Sequence, residues 1–277
     1  MTSALELDPD PGLFGPDSIT WRVHADPSMA LAGLRALLLQ AVHPLAMAGV
    51  AEHSDFRRDP WGRLFRTADY VGVTTFGSTR EARIAAAKVR GIHSRLTGIE
   101  PESGRPYRVN DPELLLWVHC VEVDSFLSTA LRCGLRLTRE EQDRYCGEQT
   151  LQASLVGLDP DDVPGSVDEV EQYFADVQPQ LHVTAAARKA ALFVLWPPMP
   201  SLVQLGTPAR PAWIALAAAA AAMLPPWARR LYSLPGIPTT DVAATAAGVA
   251  FRSGVLVVPQ ALRQGPHLAG AKERLGL

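Results

Sequence analysis

Helix-start signals recur along the whole chain and limit its fold more than any other feature of the sequence. In a capping box, a hydroxyl side chain and a glutamate three residues later satisfy free N–H groups at the start of a helix. Three such pairs are present: Ser78 with Glu81, Thr138 with Glu141, and Ser166 with Glu169. Each pair predicts that a helix begins directly after its first residue.

Two Asp-Pro pairs give the same signal, because aspartate caps free N–H groups and proline fits the first helical turn. After Asp26-Pro27, leucines and alanines recur at helical spacing up to His43, where the following proline disfavours further helix. A short second helix is predicted from that proline onward. After Asp111-Pro112 the apolar positions continue to Gly134, a residue suited to a C-terminal cap.

These signals predict an all-α fold. We expect a single globular multi-helix domain over residues 19–277, preceded by an acidic, Pro-rich segment over residues 1–18. Hydrophobic residues make up 47% of the chain, which is enough apolar surface for a large core. Only Gly254–Val258 resembles a strand, and it is too short to change the class. The Pro-rich stretch 196–211 is predicted to be a connection within the domain, because it is neither long nor polar enough for a flexible linker.

The charge pattern and the apolar runs exclude several partners. The net charge is −3 without a basic stripe or a polybasic run, so nucleic acid is not an expected partner. The run Ala212–Met223 is shorter than the roughly 20 residues of a membrane span, and we predict a buried helix without stable membrane insertion. The N-terminus lacks the order of a secretory signal and the cysteines lack disulfide spacing, so we expect a cytoplasmic protein. A monomer and a homodimer both remain open.

Several common catalytic motifs are missing from the sequence. There is no G-x-S-x-G elbow, no glycine-rich phosphate loop and no H-E-x-x-H, so no motif supports a hydrolase or nucleotide-binding function. The Glu-x-x-His motif of di-iron bundles is also missing. A zinc site formed by His43, His53 and His119 has no characteristic spacing to support it.

Four of the seven histidines lie between residues 43 and 119, which makes this region the place to look for chemistry. His93 falls on the apolar face of its predicted helix, whereas Arg63, Arg66, Thr67 and Tyr70 share one face of another. A haem b pocket needs one neutral imidazole, apolar walls, and polar donors for the propionates or bound oxygen. The sequence permits that arrangement, and it also permits a buried structural histidine beside a solvated basic face.

A longer succession of motifs covers the chain from about Ile19 to Pro235. Its members, in chain order, are Gln40, His43-Pro44, Gly49-Val50, His53-Ser54, Asp59-Pro60, Arg63-x-x-Arg66-Thr67, Tyr70, Val89-x-x-x-His93, Gly98, Tyr107, Asp111-Pro112, Leu114-Leu115-x-Trp117-Val118-His119, Leu224-Pro225-x-Trp227, Arg229, Arg230, Leu231-Tyr232 and Pro235. This succession resembles the family that includes bacterial latex clearing proteins, which are rubber oxygenases, and fungal MpaB-type oxygenases.

The resemblance implies an all-α fold that holds haem b non-covalently and activates dioxygen, in some members to cleave carbon–carbon double bonds of isoprenoid chains. It assigns His93 as the proximal iron ligand and places Arg63 and Thr67 in the distal pocket. Where the rubber-cleaving members have a distal lysine, this chain has Arg66. Because arginine stays protonated, we expect an open or water-bound sixth position, or hydrogen bonds from Arg66 to oxygen or a propionate.

His43 is the candidate for a distal acid or base, because it lies at a helix end and histidine titrates near neutral pH. The alternative is that His43 only caps the preceding helix. His119, with Glu122 one turn later, is predicted to be a structural pair.

The predicted function is a haem b-dependent oxygenase or peroxygenase that oxidises a hydrophobic small molecule with dioxygen or peroxide. A haem-binding sensor or carrier without turnover is one alternative. A haem-free helical structural or interaction protein is the other.

Overall fold

Helices and one short hairpin form the regular structure. A computed structural model of the chain describes residues 9–54, 58–234 and 236–277, and at residues 202, 204 and 205 the backbone alone. The helices are Ile19–His24 (α1), Met29–Gln40 (α2), Pro44–His53 (α3), Pro60–Phe76 (α4), Thr79–His93 (α5), Pro112–Arg132 (α6), Arg139–Val156 (α7), Val167–Val177 (α8), Ala185–Leu195 (α9), Ser201–Gly206 (α10), Ala209–Ala222 (α11), Pro226–Leu231 (α12), Pro238–Leu256 (α13), Gln260–Arg263 (α14) and Pro266–Leu275 (α15). Strands Thr97–Ile99 (β1) and Pro106–Arg108 (β2) pair antiparallel, with Gly98 opposite Tyr107. The all-α prediction is confirmed.

The predicted capping boxes are confirmed at the starts of α5, α7 and α8. In each box the hydroxyl accepts from the glutamate N–H, and the glutamate carboxylate accepts from the N–H of the capping residue. Helix α6 follows Asp111, whose carboxylate accepts from the Glu113 N–H at 3.1 Å. Gly134, just beyond α6, has a φ of +96°, a conformation that glycine adopts without strain.

The start of α2 differs from the prediction. The helix begins at Met29, and Asp26 forms a turn before it, because the Asp26 carboxylate accepts from the Ser28 N–H at 2.9 Å. The same carboxylate pairs with Arg252 of α13 at 2.8 Å. The sequence analysis assigned the Asp26 side chain to a helix cap. In the structure it instead forms a local turn and a long-range ion pair.

Two irregular segments were also predicted wrongly. The strand-like residues 254–258 continue α13 as far as Leu256, because the Ala-rich helix before them overrides a weak local strand preference. The Pro-rich connection contains α10 and the start of α11. Proline occupies the capping position or the first turn of several of these helices, where its missing N–H is harmless.

The core lies around α6, which packs most extensively against α2. The largest buried cluster joins residues of α1, α2, α6, α7, α8, α9, α11 and α12 around Trp117. By length and composition α6 could cross a membrane, but 67% of its most apolar window is buried inside the protein, as expected of a core helix. Helices α2 and α3 pass the same test only as a pair, and they meet at 106°.

The C-terminal helix packs against α4 and also holds part of the N-terminal segment. Arg274 of α15 donates to the Asp10 carbonyl oxygen at 2.9 Å, and the Asp10 carboxylate accepts from the Thr79 N–H at 2.8 Å. Residues 9–18 therefore lie against the helices. Residues 1–8 of the predicted N-terminal segment and Pro235 of the motif succession lie outside the described residues.

Candidate functional site

A cavity of about 690 Å³ lies among α3, α4, α5, α6 and α7, and we call it the His93 cavity. Most of its walls are aliphatic, including Leu45, Val50, Leu96 and Val118. Its volume falls within the range of about 300–1,000 Å³ that small-molecule and cofactor sites occupy. Each of these five helices contributes at least one polar side chain to its lining.

His93 is the last residue of α5, and its half-buried ring lines the cavity. Among the described residues neither ring nitrogen has a hydrogen-bond partner, and Nδ1 is fully buried. Burial lowers the pKa of His93 and so favours the neutral imidazole, which is the form that binds a metal. The ring is therefore free to bind a metal ion or a metal-containing cofactor.

Arg63 and Thr67 lie one turn apart on α4 and line the same cavity. The Arg63 Nη1 donates to Ser54 Oγ at 2.6 Å, and no carboxylate of the described residues pairs with it. Burial lowers the pKa of Arg63, although an arginine keeps its charge at neutral pH. The Thr67 hydroxyl donates to the Arg63 carbonyl oxygen at 3.1 Å, which leaves its oxygen able to accept. The pair combines an uncompensated positive charge with a hydroxyl acceptor.

Arg66 also lines the cavity, but its side chain is 64% exposed. Its Nη1 lies 3.1 Å from Asp59 Oδ2, and the Asp59 carboxylate caps α4 through the Gly62 N–H at 2.8 Å. The Arg66 charge is thus already paired at the rim, whereas the Arg63 charge is not.

His43 does not join this group. It caps α3, and its Nδ1 accepts from the Ala46 N–H at 3.4 Å while its ring packs 5.6 Å from that of Trp117. It is not among the residues that line the His93 cavity. The helix that it caps is the following one, not the preceding one as the sequence analysis considered. An acid–base role for His43 at this cavity has no geometric support.

Four buried polar atoms of the cavity lining have no hydrogen-bond partner in the described part of the chain. They are Tyr70 Oη, His93 Nδ1, His119 Nε2 and Gln152 Oε1. An unsatisfied buried polar group costs about 1–3 kcal/mol. Four of them on one cavity favour a bound group that would provide partners.

A carboxyl group also reaches the cavity. Glu122 of α6 accepts from the Gln40 amide at 3.3 Å, and burial raises its pKa to about 7. The sequence analysis treated His119 and Glu122 as a structural pair, whereas both line the cavity. Glu122 is a charged residue within an apolar stretch of the sequence, and this was the signal that could have identified it as a cavity residue. Nothing in the sequence around Gln152 distinguishes that residue.

Within residues 9–54, 58–234 and 236–277, no group of three or more His, Cys, Asp or Glu side chains is placed to hold a metal ion. A haem iron needs only one protein ligand, because the porphyrin supplies four nitrogens. The His93 imidazole, the aliphatic walls and an arginine without an ion-pair partner among the described residues are a donor set that fits haem.

Comparison with known families agrees with this geometry. A sequence model described as "ER-bound oxygenase mpaB/B'/Rubber oxygenase, catalytic domain" matches residues 21–257 of the 277. The chain belongs to this family. The match extends beyond Pro235 and includes α13, so the mpaB/rubber oxygenase domain spans most of the helices described above. No curated protein and no solved structure matches the chain.

Proposed function

We propose that this member of the mpaB/rubber oxygenase family is a haem b-dependent oxygenase that oxidises a hydrophobic small molecule. The observation that carries the proposal is the His93 ring, which has no hydrogen-bond partner among the described residues and lines an aliphatic cavity together with Arg63, an arginine without an ion-pair partner in the same part of the chain. Family membership supports the oxygenase class, and the cavity supports the cofactor.

The residues of the cavity divide into three roles in this proposal. His93 holds the iron from α5. Arg63 on α4 pairs with a propionate or another anionic group, because its charge has no carboxylate partner among the described residues. Thr67 and Tyr70 supply polar contacts on the same helix face. The aliphatic walls exclude water from the site.

The haem, when bound, supplies the activation of dioxygen or peroxide, and the protein supplies orientation and electrostatics. The polar atoms that lack protein partners are available to bound oxygen, to the propionates or to the substrate. Arg66, paired with Asp59 at the rim, is proposed to act at the cavity entrance and not as an iron ligand.

The test compares three histidine variants after expression with haem supplementation. We expect the wild type to contain one b-type haem per chain in a pyridine haemochrome assay. His93→Ala should lose the Soret band while keeping its helical circular dichroism. His53→Ala is the matched control, because His53 lines the same cavity but its Nε2 already contacts the Thr97 carbonyl oxygen at 3.2 Å.

His119→Ala addresses the second free imidazole of the cavity and should retain haem. If His119→Ala lost haem and His93→Ala retained it, the iron ligand would be assigned to His119 of α6 instead. Equal loss in all three variants would indicate general destabilisation and contradict the assignment. A folded wild type that takes up no haem would remove the proposal and favour a haem-free helical protein.

An oxygen sensor or carrier would share the cofactor but not the turnover. We expect the haem-loaded, reduced protein to consume dioxygen faster when an oxidisable hydrophobic substrate is present, which a carrier would not do. Rates of dioxygen consumption measured with and without substrate distinguish the two.

A further inference from the structure

A second and larger cavity, of about 1,080 Å³, adjoins the His93 cavity, and we call it the α15 cavity. It lies among α1, α2, α4 and the helices α14 and α15. Most of its lining is apolar, with Trp21, Met29, Phe126 and Leu268 among its walls. Its volume is at the upper end of the range for small-molecule sites, about 300–1,000 Å³.

The two cavities share part of their lining. The residues common to both are Leu37, Gln40, Arg66, Thr67 and Glu122. A molecule held in the α15 cavity would therefore reach the wall next to Thr67, on the helix that also carries Arg63. The proposed haem site lies on the other side of that wall.

The charges that line the α15 cavity are not all balanced. Five of the lining residues take part in four ion pairs: Arg22 with Glu141, Asp26 with Arg252, Arg66 with Asp59, and His267 with Asp69, which both line the cavity. Arg263 and Lys272 have none within the described residues. The Arg263 Nε is also fully buried without a hydrogen-bond partner.

These observations describe a site with two unlike parts. Arg263 at the end of α14 and Lys272 on α15 present two positive charges without counter-ions among the described residues. The wall shared with the His93 cavity carries Glu122, a carboxyl group that repels an anion when it is ionised, and Arg66, whose charge is paired with Asp59. Most of the remaining lining is apolar. The anionic head group of a ligand is therefore favoured next to Arg263 and Lys272 and disfavoured next to Glu122.

We infer that the α15 cavity binds a long-chain carboxylic acid, with its carboxylate at Arg263 and Lys272 and its apolar chain extending to the shared wall. The binding itself does not depend on haem. Only the oxidation of the bound chain rests on the proposed function. The charge-assisted hydrogen bond between the carboxylate and the Arg263 guanidinium provides the stronger part of this binding. Burial of the apolar chain of the acid provides the rest.

The experiment measures binding by isothermal titration calorimetry at pH 8, with dodecanoate as probe and dodecanol as its uncharged counterpart. The full chain is used both with and without bound haem. We expect the wild type to bind dodecanoate roughly tenfold or more tightly than dodecanol. Dodecylamine, which carries the opposite charge, should bind more weakly than either.

The variant Arg263→Gln/Lys272→Gln should lose about ten- to a hundredfold in dodecanoate affinity and keep its dodecanol affinity. Arg188→Gln/Lys189→Gln is the matched control, because both cations are exposed on α9 and line neither cavity. The control should bind both probes like the wild type.

Equal affinity of the wild type for dodecanoate and dodecanol would overturn the inference, and so would no binding of either. If the double variant fails to fold, the wild-type comparison of the three probes decides alone. The haem content of the same samples is read separately, so that a haem-free protein that binds dodecanoate would contradict the proposed function and leave this inference standing.

Discussion

The hydrogen-bond networks of His24 and Arg35 contrast with the lining of the His93 cavity. Both His24 nitrogens have partners, Thr75 Oγ1 at 2.8 Å and Tyr145 Oη at 3.0 Å. Arg35 donates from all three nitrogens, to the Met223 carbonyl oxygen, Ser125 Oγ and Asp124 Oδ2. In the His93 cavity, by contrast, four buried polar atoms have no hydrogen-bond partner among the described residues.

The difference separates polar residues that hold the helices together from those that are proposed to bind a ligand. A satisfied buried network fixes how helices pack, whereas an unsatisfied one raises the free energy of the empty site until a ligand provides partners. His24 and His93 are each the last residue of a helix. They differ in their hydrogen bonds, because both His24 nitrogens have partners and those of His93 have none among the described residues.

The largest expected effect is on the paired region. Arg35→Ala should lower the free energy of unfolding by about 3 kcal/mol, because it leaves the Asp124 carboxylate without its ion-pair partner and removes the hydrogen bonds to Ser125 Oγ and the Met223 carbonyl oxygen. Urea denaturation followed by circular dichroism measures the loss. Arg139→Ala, which removes the exposed pairs with Asp143 and Asp168, is the control and should leave the unfolding midpoint nearly unchanged. Similar losses in both variants would mean that the Arg35 network does not hold the helices together.

The next effect depends on pH. Burial lowers the pKa of His24 to about 3, whereas an unfolded histidine titrates near 6.5. Between these values the unfolded state binds one more proton, so the stability contributed by His24 is present above about pH 6.5 and falls as the pH decreases. Between pH 6 and pH 5 the unfolding free energy of the wild type should drop by about 1 kcal/mol more than that of His24→Gln. Parallel pH profiles would show that His24 is not buried in its neutral form.

The smallest effect is the most discriminating, because it applies the same change to both regions. Tyr145→Phe removes the partner of His24 and should cost about 1 kcal/mol of unfolding free energy. Tyr70→Phe removes a hydroxyl without a partner, so the haem-free protein should lose nothing and could gain up to about 1 kcal/mol. Thermal or urea unfolding of both variants without haem gives the comparison. An equal loss in the two variants would contradict the contrast between the regions.

Much of the fold could be predicted locally. The capping boxes at Ser78, Thr138 and Ser166 and the Asp-Pro start at Asp111 lie where helices begin, because a cap and the N–H group that it satisfies are at most three residues apart. The prediction fails at Asp26, whose carboxylate also pairs with Arg252, more than two hundred residues away. The spacing of nearby residues cannot reveal a contact between residues so far apart in the chain.

The candidate site was predictable to a lesser degree. The motif succession placed Arg63, Thr67 and His93 in one group, and they line one cavity. It also included His43, which the fold uses as a cap beside Trp117.

The sequence by itself determined that the chain is helical, where most helices begin, and to which family it belongs, because these depend on short-range caps, apolar periodicity and motif order. Only the tertiary structure decided which buried polar groups remain without a partner. Tyr145 meets His24 across 121 residues of chain, whereas the Tyr70 hydroxyl has no hydrogen-bond partner among the described residues. Which polar groups form hydrogen bonds inside a core depends on how distant helices pack, and no local sequence pattern encodes it.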